Sequence, residues 1–264
     1  MTLRFTILGC GSSGGVPRIG SGWGKCDPEN PRNRRRRCAL LVERRGPRGV
    51  TSILIDTPPD LREQLLSVRA DALDAVLFTH DHADHTHGID DLRMVAYAMK
   101  KRVPCYFDAT TQSSIVGRFA YCFVQPPGST YPPILSAERL TPGEPVRVDG
   151  AGGPIDALPI KQFHGDIESL GFRFGNVAYS PDVSALPLDS LPLLGNLDLW
   201  IVDALRYTSH PSHFSVKEAL EHVIKLKAKR AVLTHMTGDL DYDALKRELP
   251  AHVEPAYDNM VIEI

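Results

Sequence analysis

The stretch Thr79-His80-Asp81-His82-Ala83-Asp84-His85 decides how this chain is interpreted, and it follows directly on the apolar segment Ala75–Phe78. The apolar segment predicts a strand, so the polar residues emerge at its carboxyl end, where α/β folds commonly place their sites. His80 and His82 point to the same side of an extended turn, because side chains two positions apart share a face. The two imidazoles can therefore converge on one cation.

Asp84 and His85 lie beyond that turn and face a second cation position. This position is expected about 3.5–4 Å from the first, the usual separation in two-metal hydrolytic sites. The pattern His-x-His-x-Asp-His thus predicts a pair of metal positions. A polar turn with solvent-facing histidines is the alternative. Neutral imidazole and carboxylate ligands suit zinc and tolerate manganese or iron, so we expect two divalent metal ions, with zinc favoured.

Three further candidate ligands stand just past other predicted strands. His164 follows Ala157–Phe163, Asp182 follows Val177–Ser180, and His235 follows Ala231–Thr234. All three can therefore gather on the same edge of a sheet as the cluster from His80 to His85. A lone histidine at a strand end is more often structural or merely exposed, so the support for each residue comes from the cluster.

The composition excludes several classes of protein. With 42% hydrophobic and 23% charged residues among 264, the chain is typical of a globular protein, and we expect one domain over residues 1–264. A formal net charge of −2 disfavours binding of long nucleic acids through global charge. No apolar run approaches the roughly 18 residues of a membrane span. The apolar stretch Phe5–Leu8 is too short for a secretory signal and the five cysteines are scattered, so we expect a cytoplasmic protein.

Short apolar runs bounded by Gly, Pro, Asp or Ser predict the strands. These are Leu3–Leu8, Ala39–Glu43, Ser52–Ile55, Ala75–Phe78, Ile155–Phe163, Val177–Tyr179, Leu199–Val202 and Ala231–Leu233. Apolar residues at helical spacing predict a helix from Ser215 and, more weakly, helices over Pro58–Leu66 and Asp90–Lys101. Many strands with few helices favour two sheets with helices packed outside them. The Pro- and Gly-rich stretch Gln125–Pro133 is expected to be a surface loop, at an edge over the site.

These motifs resemble those of the metallo-β-lactamase-fold hydrolases over nearly the whole chain. The resemblance is carried, in the family's order, by Leu8–Pro17 (LGCGSSGGVP), the strand-end Asp56, the Thr79–His85 signature, His164, Asp182 and His235. Within that superfamily the chain is most similar to the cyclic-phosphate phosphodiesterases of phosphonate breakdown, and next to the tRNA 3′-processing endonucleases. The resemblance implies an α+β fold, a four-layer αββα sandwich.

The resemblance also implies a role for each ligand. One metal would be held by His80, His82 and His164, and the other by Asp84, His85 and His235. Asp182 would bridge the two metals together with a hydroxide, and Asp84 and Asp182 would position this nucleophile as catalytic residues. Asp56 would orient the metal-binding turn through hydrogen bonds. A carboxylate that only closes a strand-end turn is an equal alternative for Asp56.

His213 matches the position of the family's catalytic histidine and lies just before the helix predicted from Ser215. A histidine fixed there can meet a phosphoryl oxygen or protonate a leaving alkoxide. The alternative is a mere neighbour of the helix cap, since Ser215 is the better capping residue. His210 is a weaker candidate for the same role. The remaining histidines match no required position and are interpreted as structural or exposed; they are His87, His222 and His252.

Two other features resemble known motifs without satisfying them. Gly9–Gly14 fits the dinucleotide pattern G-x-G-x-x-G, but more glycine and a proline follow it instead of a helix, so we expect a turn near the site with amides available to phosphate. Some phosphodiesterases of this type hold an extra structural zinc with clustered cysteines and a late histidine. Here Cys26 stands alone and Gly238 occupies the region of that histidine, so we expect the extra structural zinc site to be absent.

The run Arg32–Arg37 is the strongest cluster of charge in the chain. Such runs usually lie in a solvated loop. A cationic rim that attracts a phosphorylated substrate is the less favoured alternative, because the charge elsewhere does not support a long nucleic-acid track.

The sequence as a whole predicts a two-metal hydrolase, foremost a phosphodiesterase that cleaves a small cyclic phosphate or nucleotide-like phosphodiester through a metal-bridging hydroxide. Thioesterases, lactonases and glyoxalase-like enzymes of the same fold are alternatives that only the pocket distinguishes, and a tRNA-processing-type nuclease is another. A redox di-iron protein is disfavoured, because His82 stands where such proteins place a carboxylate. The non-enzymatic alternative is a nucleotide- or RNA-binding protein with a vestigial metal site. We expect no membrane partner, and a homodimer is compatible with the fold.

Overall fold

The computed structural model describes residues 2–264, which form strands and helices in alternation. The strands are β1 (Leu3–Gly9), β2 (Ala39–Gly46), β3 (Gly49–Ile55), β4 (Ala75–Leu77), β5 (Val103–Phe107), β6 (Leu135–Arg139), β7 (Val146–Val148), β8 (Ile155–His164), β9 (Ile167–Phe174), β10 (Val177–Ser180), β11 (Leu199–Asp203), β12 (Ala231–Thr234), β13 (Val253–Pro255) and β14 (Met260–Glu263). The helices are α1 (Leu61–Val68), α2 (Ala83–Thr86), α3 (Leu92–Met99), α4 (Ala109–Arg118), α5 (Ala120–Phe123), α6 (Val216–Lys225) and α7 (Tyr242–Glu248). Within residues 2–264, no helix has the length and apolar character needed to cross a membrane.

The strands form two sheets of seven strands each. The strand order is β14-β1-β2-β3-β4-β5-β6 in the first sheet and β13-β12-β11-β10-β9-β8-β7 in the second. Each sheet has a parallel half, from β3 to β6 in the first and from β10 to β13 in the second. Because the carboxyl ends of parallel strands meet at one edge, the residues that follow these strands lie close together, where ligands bind in sheets of this kind.

Two apolar cores separate the layers of the fold. One core lies between the sheets, where the rings of Phe5 and Phe174 meet edge-on with their centroids 6.0 Å apart. The other lies between the first sheet and α1, α3 and α4, and it contains Phe78 stacked on Phe107 at 4.7 Å. Helix α6 packs against β11 and β12 of the second sheet. The four-layer αββα sandwich and the α+β class predicted from the sequence are therefore confirmed.

All eight predicted strands are present, whereas β5, β6, β7, β9, β13 and β14 were not predicted. Four of these six are the edge strands of the two sheets. Edge strands are short and partly polar, so hydrophobic periodicity identifies them poorly. The helix predicted from Ser215 is α6, and its first turn is closed by a capping box between Ser215 and Glu218. The helices predicted over Pro58–Leu66 and Asp90–Lys101 are shorter and correspond to α1 and α3.

The loop Gln125–Pro133 is exposed, as predicted, but its location was predicted wrongly. Pro132 and Pro133 share a groove with Tyr97 and Lys100 at the end of α3. The loop leads into the amino end of β6, and β6 runs parallel to β5 and β4. It therefore lies at the opposite end of the sheet from the carboxyl end of β4, away from the Thr79–His85 cluster.

The Arg32–Arg37 run is packed into the fold, which corrects the expectation of a solvated loop. Arg35 is only 2% exposed and donates hydrogen bonds to the carbonyl oxygens of Thr237 and Leu240, at 3.0 and 2.6 Å. The other guanidinium groups also have partners: Arg32 lies over Tyr242 and Tyr257, Arg34 lies over Trp23, Arg36 pairs with Asp258, and Arg37 pairs with Asp60. The charge of the run thus fastens an early loop to late segments of the chain.

The glycine-rich turn after β1 packs directly against this run. A Cβ atom on Gly9 would stand 2.1 Å from the carbonyl oxygen of Arg37, so only glycine allows the two backbones to approach this closely. The amides of Gly11 and Ser12 donate to carbonyl oxygens of the protein, at 2.8 and 3.2 Å. The expectation that this turn offers its amides to phosphate is therefore wrong for these two groups. No helix follows the turn, which agrees with the rejection of a dinucleotide motif.

Cys26 and Gly238, the two positions considered for a structural zinc, are direct neighbours. The Cys26 Sγ atom lies 3.5 Å from the carbonyl oxygen of Gly238 and 3.4 Å from that of Leu240. A Cβ atom on Gly24 would stand 2.6 Å from the same Gly238 oxygen. Close backbone contact thus joins these two loops, and burial raises the pKa of the Cys26 thiol, which keeps it neutral.

We expect Arg35→Ala to lower the free energy of unfolding by about 3 kcal/mol or more, because it removes the charged donor from two carbonyl groups and opens a cavity. The matched control is Arg34→Ala, which removes an exposed guanidinium that lies over the Trp23 ring. Its expected loss is below about 1 kcal/mol. Urea unfolding followed by circular dichroism measures both values, and equal losses would contradict the structural role of Arg35.

Candidate metal centre

Strand ends supply all the candidate ligands. The residues from His80 to His85 follow β4, Asp182 follows β10, His235 follows β12, and His164 is the last residue of β8. The structure brings these side chains into one cluster. In the described part of the chain, five groups of three have ligand atoms within 4.8 Å of one another, namely His80 with His82 and His164, His80 with His85 and Asp182, Asp84 with His85 and His235, His164 with Asp182 and His213, and Asp203 with His213 and His235.

Asp56 holds the turn that carries most of these ligands. Its Oδ1 atom accepts a hydrogen bond from the backbone amide of Thr79, and its Oδ2 atom accepts one from the Thr79 hydroxyl, both at 2.8 Å. Oδ2 also lies 2.7 Å from His85 Nδ1. Asp56 adopts a left-handed backbone with φ of 65°, which is uncommon for a residue other than glycine and typical of constrained functional sites. The contacts are those expected of a residue that orients the turn.

Hydrogen bonds to Nδ1 fix the tautomers of three imidazoles. His85 donates from Nδ1 to Asp56, and His164 donates from Nδ1 to the carbonyl oxygen of Ser212 at 2.6 Å. The Thr79 hydroxyl donates to Asp56 and can therefore accept from His80 Nδ1, which lies 2.9 Å away. The Nε2 atoms of His80 and His85 are left without a hydrogen-bond partner within residues 2–264, and His164 Nε2 lies 3.3 Å from His82 Nδ1. This is the arrangement found around metal-binding histidines, whose second ring nitrogen is usually anchored by the protein.

The carboxylate of Asp182 lies between the two halves of the cluster. Its Oδ2 atom is 3.0 Å from His85 Nε2, and its Oδ1 atom is 3.2 Å from His235 Nε2 and 3.8 Å from His164 Nε2. Asp84 Oδ2 lies 3.5 Å from His85 Nε2 and 3.8 Å from His235 Nε2. The geometry is compatible with Asp182 bridging two cations and with Asp84 facing one of them.

Several buried polar atoms of the cluster have no hydrogen bond of acceptable geometry within residues 2–264, although His85 Nε2 and Asp182 Oδ2 face each other at 3.0 Å. They include the Nε2 atoms of His80, His85 and His235 and the Oδ2 atom of Asp182. An unpaired buried polar atom costs about 1–3 kcal/mol, so native proteins rarely keep several together without a ligand. Imidazole nitrogens and carboxylate oxygens are the donors that zinc and other divalent metals bind. The residues present therefore fit two divalent cations.

The surroundings set the protonation of the ligands. Burial lowers the pKa of His80 well below its ordinary value and lowers that of His164 to about 4, so both rings are neutral at pH 7. Burial acts to raise the pKa of Asp182, but the nearby His235 and His85 outweigh it and lower that pKa well below its usual range. For His85, the effect of burial is outweighed by Asp182 and the other nearby carboxylates, which raise its pKa. Most of the cluster thus stands in the protonation state that metals require.

His213 is positioned beside the cluster by Asp203, a residue that sequence reasoning missed. His213 Nδ1 lies 2.7 Å from Asp203 Oδ2, and the His213 ring stacks on that of His235 with centroids 4.6 Å apart. Asp203 is fully buried and also accepts a hydrogen bond from the amide of Val183 at 3.1 Å. The available signal was its place at the end of an apolar strand, the same pattern that identified Asp182. Burial raises the pKa of Asp203 well above its ordinary value, so this carboxyl group holds a proton more readily than an ordinary aspartate, and its 2.7 Å contact fixes the orientation of the His213 ring.

Of the remaining histidines, one lines the cavity of the cluster and three lie elsewhere. His210 lies close to His213, with ring centroids 5.3 Å apart, and both line the same cavity. His222 stacks on Phe214 at 4.5 Å, and the His87 ring meets that of Phe119 at 5.7 Å. Neither of these two rings lines the cavity, and His252 does not line it either. His210 therefore belongs to the site wall.

The cluster opens into a cavity of about 270 Å³. This is at the lower end of the range of about 300–1,000 Å³ for small-molecule sites. Its wall is formed by Ser12, Ser13, Arg18, His82, Asp84, His164, Asp182, Leu205, Arg206, His210, Ser212, His213, His235 and Thr237. Arg18 and Arg206 were not predicted, whereas none of the arginines from Arg32 to Arg37 takes part. A cavity of this size suits a small substrate.

We expect Asp56→Asn to lower the affinity for divalent metal by about 10–100-fold, because the amide cannot anchor both Thr79 and His85 as the carboxylate does. The matched control is Asp74→Asn, at the other end of β4, where the carboxylate accepts a hydrogen bond from the Ser52 amide at 2.9 Å. Competition against a chromogenic chelator measures zinc affinity in both variants. An unchanged zinc affinity in Asp56→Asn would contradict the orienting role and show that Asp56 only closes the turn.

Comparisons with solved structures agree with this fold over its full length. A crystal structure described as a new diphosphatase from the PhnP family is 34% identical, with a TM-score of 0.89 over 100% of this chain and 98% of that one. The short form of human tRNase Z, ELAC1, is 21% identical, with a TM-score of 0.63 over 98% of each chain. The second likeness shows the fold alone.

Comparisons of sequence identify the family. A curated protein named octanoyltransferase, from Porphyromonas gingivalis (strain ATCC BAA-308 / W83), is 32% identical over 263 residues, which are 98% of this chain and 51% of that protein. The chain thus spans about half the length of this curated relative. Residues 51–236 match the beta-lactamase superfamily domain. With that match and the αββα architecture built around its strand-end ligands, the chain belongs to the beta-lactamase superfamily and has the metallo-β-lactamase fold.

Proposed function

We propose that this protein is a binuclear metal-dependent phosphodiesterase that acts on a small cyclic phosphate or nucleotide-like phosphodiester. One observation carries the proposal: His213, whose Nδ1 atom is held by Asp203, lines the same small cavity as Asp182 and His235, which have unpaired ligand atoms. A proton-transferring histidine beside a site for two cations is what in-line displacement at phosphorus requires. The 34% identity to a diphosphatase supports phosphorus as the reacting atom.

His80, His82 and His164 would hold one cation, Asp84, His85 and His235 would hold the other, and Asp182 would contact both. Zinc is favoured by the nitrogen-rich donor set, with manganese or iron as alternatives. When bound, such cations activate water and neutralise charge on the oxygens of the reacting phosphate.

The protein groups of the cavity direct the proton. Burial lowers the pKa of His213, so the ring is neutral before reaction, and Nδ1 is occupied by Asp203. The other nitrogen, Nε2, can take up a proton during attack and return it to the leaving oxygen. Asp203 stabilises the imidazolium that forms in between, as a buried carboxylate does in a catalytic triad. The carboxylates of Asp84 and Asp182 accept hydrogen bonds from the attacking water and orient it.

A second candidate function is cleavage of an acyl thioester. It is favoured by the 32% identity to a protein named octanoyltransferase, since a transferase of that name handles an acyl carbonyl. The same ligand cluster could polarise a carbonyl oxygen. In this case His213 would protonate a leaving thiolate.

Turnover of three substrates by the metal-reconstituted protein separates these functions. We expect bis-p-nitrophenyl phosphate to be cleaved in preference to a lactone and to an acyl-coenzyme A thioester. We also expect a chelator to abolish the activity. Absorbance follows the release of nitrophenolate from the phosphodiester and of free thiol from the thioester. Faster cleavage of the thioester would assign the second function and reject the phosphodiesterase.

Two substitutions test the roles inside the site. Asp182→Asn is expected to abolish metal-dependent turnover, because the amide replaces the charge that contacts both cation positions. His213→Gln is expected to lower kcat by about 10²–10⁴-fold with little change in metal content, because only proton transfer is lost. Initial rates and metal analysis of the purified variants check both. Full activity of either variant would contradict its assigned role.

A further inference from the structure

One outer edge of the first sheet is formed by β6, which pairs with β5 and with no other strand of residues 2–264. Just before β6, the carbonyl oxygen of Ile134 accepts a hydrogen bond from the amide of Val103 at 3.0 Å. Just after β6, the amide of Leu140 donates to the carbonyl oxygen of Phe107 at 2.9 Å. Because the backbone groups of successive strand residues point to opposite sides, those of Ala137 point away from β5. An edge of this kind can pair with a further strand.

A groove of about 600 Å³ lies beside this edge, between β6 and α4. Helix α4 lines it with Ala109, Ser113 and Gly117, which are exposed and follow one another at intervals of four positions on one helix face. A Cβ atom on Gly117 would meet no other atom within 4 Å, so the space beside it is open. Val116 and Val124 add apolar surface, and Val124 is 62% exposed. An open sheet edge beside room for alternate side chains is the arrangement in which extended peptides bind as an added strand.

Two exposed arginines mark the ends of the groove. Arg102 stands directly before β5, and Arg139 is the last residue of β6, so in this parallel pair they lie at the amino and carboxyl ends respectively. Neither side chain forms an ion pair within residues 2–264, whereas the neighbouring Lys101 pairs with Asp74 at 3.6 Å. The groove has no aspartate or glutamate among the described residues that line it. Its charge is therefore positive at both ends, which is complementary to an acidic ligand.

We propose that the groove between β6 and α4 binds an extended acidic segment of a partner protein, which adds to the first sheet as a further strand. The five residues of β6 span about 16 Å, so the bound segment needs a similar length. Ala137 packs towards the helices, and Arg139 lies on the same face because it is two positions further on. The segment would place alternate side chains over the groove, an acid at each end and an apolar residue between them. The pattern recognised is acid-x-apolar-x-acid.

The edge itself disfavours a second copy of this chain as the occupant. On the face of β6 that borders the groove, Leu135, Ala137 and Arg139 alternate. None of the three is acidic, so a second β6 would bring another arginine to a groove that already has two. Like charges placed in one interface oppose association. An acidic segment of a different protein therefore fits the charge of the groove better.

This surface is separate from the candidate metal centre. Within the described part of the chain, no residue lines both the groove and the cavity of the cluster. The inference therefore goes beyond the proposed function, and binding to the groove is measured without any substrate turnover. Failure of one proposal leaves the other unaffected.

A short peptide with the predicted pattern tests the proposal on the full chain. The probe is fluorescein-labelled TETVTET, in which threonines occupy the intervening positions, and the matched control is TQTVTQT. Fluorescence anisotropy measures both affinities. We expect the acidic peptide to bind at least about tenfold more tightly, because each carboxylate meets an arginine, and we expect salt to reduce the difference. Equal affinities, or no binding of either peptide, would overturn the proposal.

Backbone pairing is tested by methylating the peptide nitrogens. One isomer of TETVTET carries N-methyl groups on glutamate, valine and glutamate, and the other carries them on the last three threonines. In an added strand only one of these alternate sets of amides faces β6, so we expect one isomer to bind at least about fivefold more weakly than the other. Equal affinities of the two isomers would contradict strand addition.

Gly117→Phe tests whether the peptide lies in the groove. The ring would occupy the open space beside Gly117, and we expect the affinity for TETVTET to fall by about tenfold or more. The matched control is Thr110→Phe, which places the same side chain on an exposed position of α4 outside the groove and should change the affinity little. Thermal unfolding followed by circular dichroism verifies that both variants are folded. Equal binding by the two variants would overturn the assignment of the groove.

The arginines are tested one at a time. Arg102→Gln and Arg139→Gln should each weaken binding of TETVTET by about threefold or more and leave TQTVTQT unchanged. The control Arg147→Gln removes a cation that pairs with Asp156 at the edge strand β7 of the other sheet, and it should affect neither peptide. Sedimentation velocity tests the other occupant. If the protein self-associates and Gly117→Phe alone makes it monomeric, a second copy fills the groove and the proposal is overturned.

Discussion

The buried carboxylate of Asp56 is the interaction on which the site depends. It is completely shielded from solvent and receives hydrogen bonds from the amide and hydroxyl of Thr79 and from His85. Burying a charge is costly unless it is paired, and here the donors all come from the single turn after β4. The carboxylate therefore makes one arrangement of that turn much more favourable than others. A strand end of the first sheet thus fixes the direction of several side chains that face the second.

The ligand side chains are held in position independently of any cation. Contacts to Nδ1 orient His80, His85 and His164 from outside the cluster, so their Nε2 atoms converge without help from a ligand. Such preorganisation moves the cost of ordering the site from binding to folding. Part of this unfavourable free energy comes from the buried polar atoms that have no hydrogen-bond partner within residues 2–264. Cation binding would repay part of it, so the stability of the fold and occupancy of the site are linked.

The sequence predicted that the seven candidate ligands lie together, because each of them ends or follows a recognisable apolar strand, and their binding of metal stays a prediction. It missed Asp203, although that residue also stands at the end of an apolar strand. An aspartate in this position often only closes a turn, so the pattern alone does not indicate a functional residue. The less favoured alternative from the sequence, a cationic rim formed by Arg32–Arg37, does not lie at the cavity, whose wall contains Arg18 and Arg206 instead. The partners that absorb the charge of the Arg32–Arg37 run, such as Asp258 and the Leu240 carbonyl, lie about 200 positions away along the chain. Arg18 was missed for the converse reason, because a single arginine gains meaning only from the cavity it faces.

The missed strands have a related explanation. A central strand shows its burial in its own composition, whereas an edge strand such as β6 or β13 is defined by the neighbour with which it pairs. Local patterns therefore reveal most of the middle of each sheet, apart from β5 and β9, and leave its borders undetermined. The candidate ligands follow β4, β10 and β12 in the parallel halves or, for His164, end the antiparallel strand β8, and the sequence predicted all four of these strands.

The pairing of β1 with β14 has a consequence for how the molecule is made. In the last loop before β14, Asp258 accepts a hydrogen bond from the amide of Cys10, 248 positions earlier, and so helps to hold the glycine-rich turn that carries Gly14. On a ribosome, the first strand would emerge long before its partner has been synthesised. Contacts between such distant segments slow folding, because the chain loses much entropy before they form. The cavity wall built on that turn is therefore expected to be completed only after β14 has been synthesised, and until then a nascent chain would lack the assembled site.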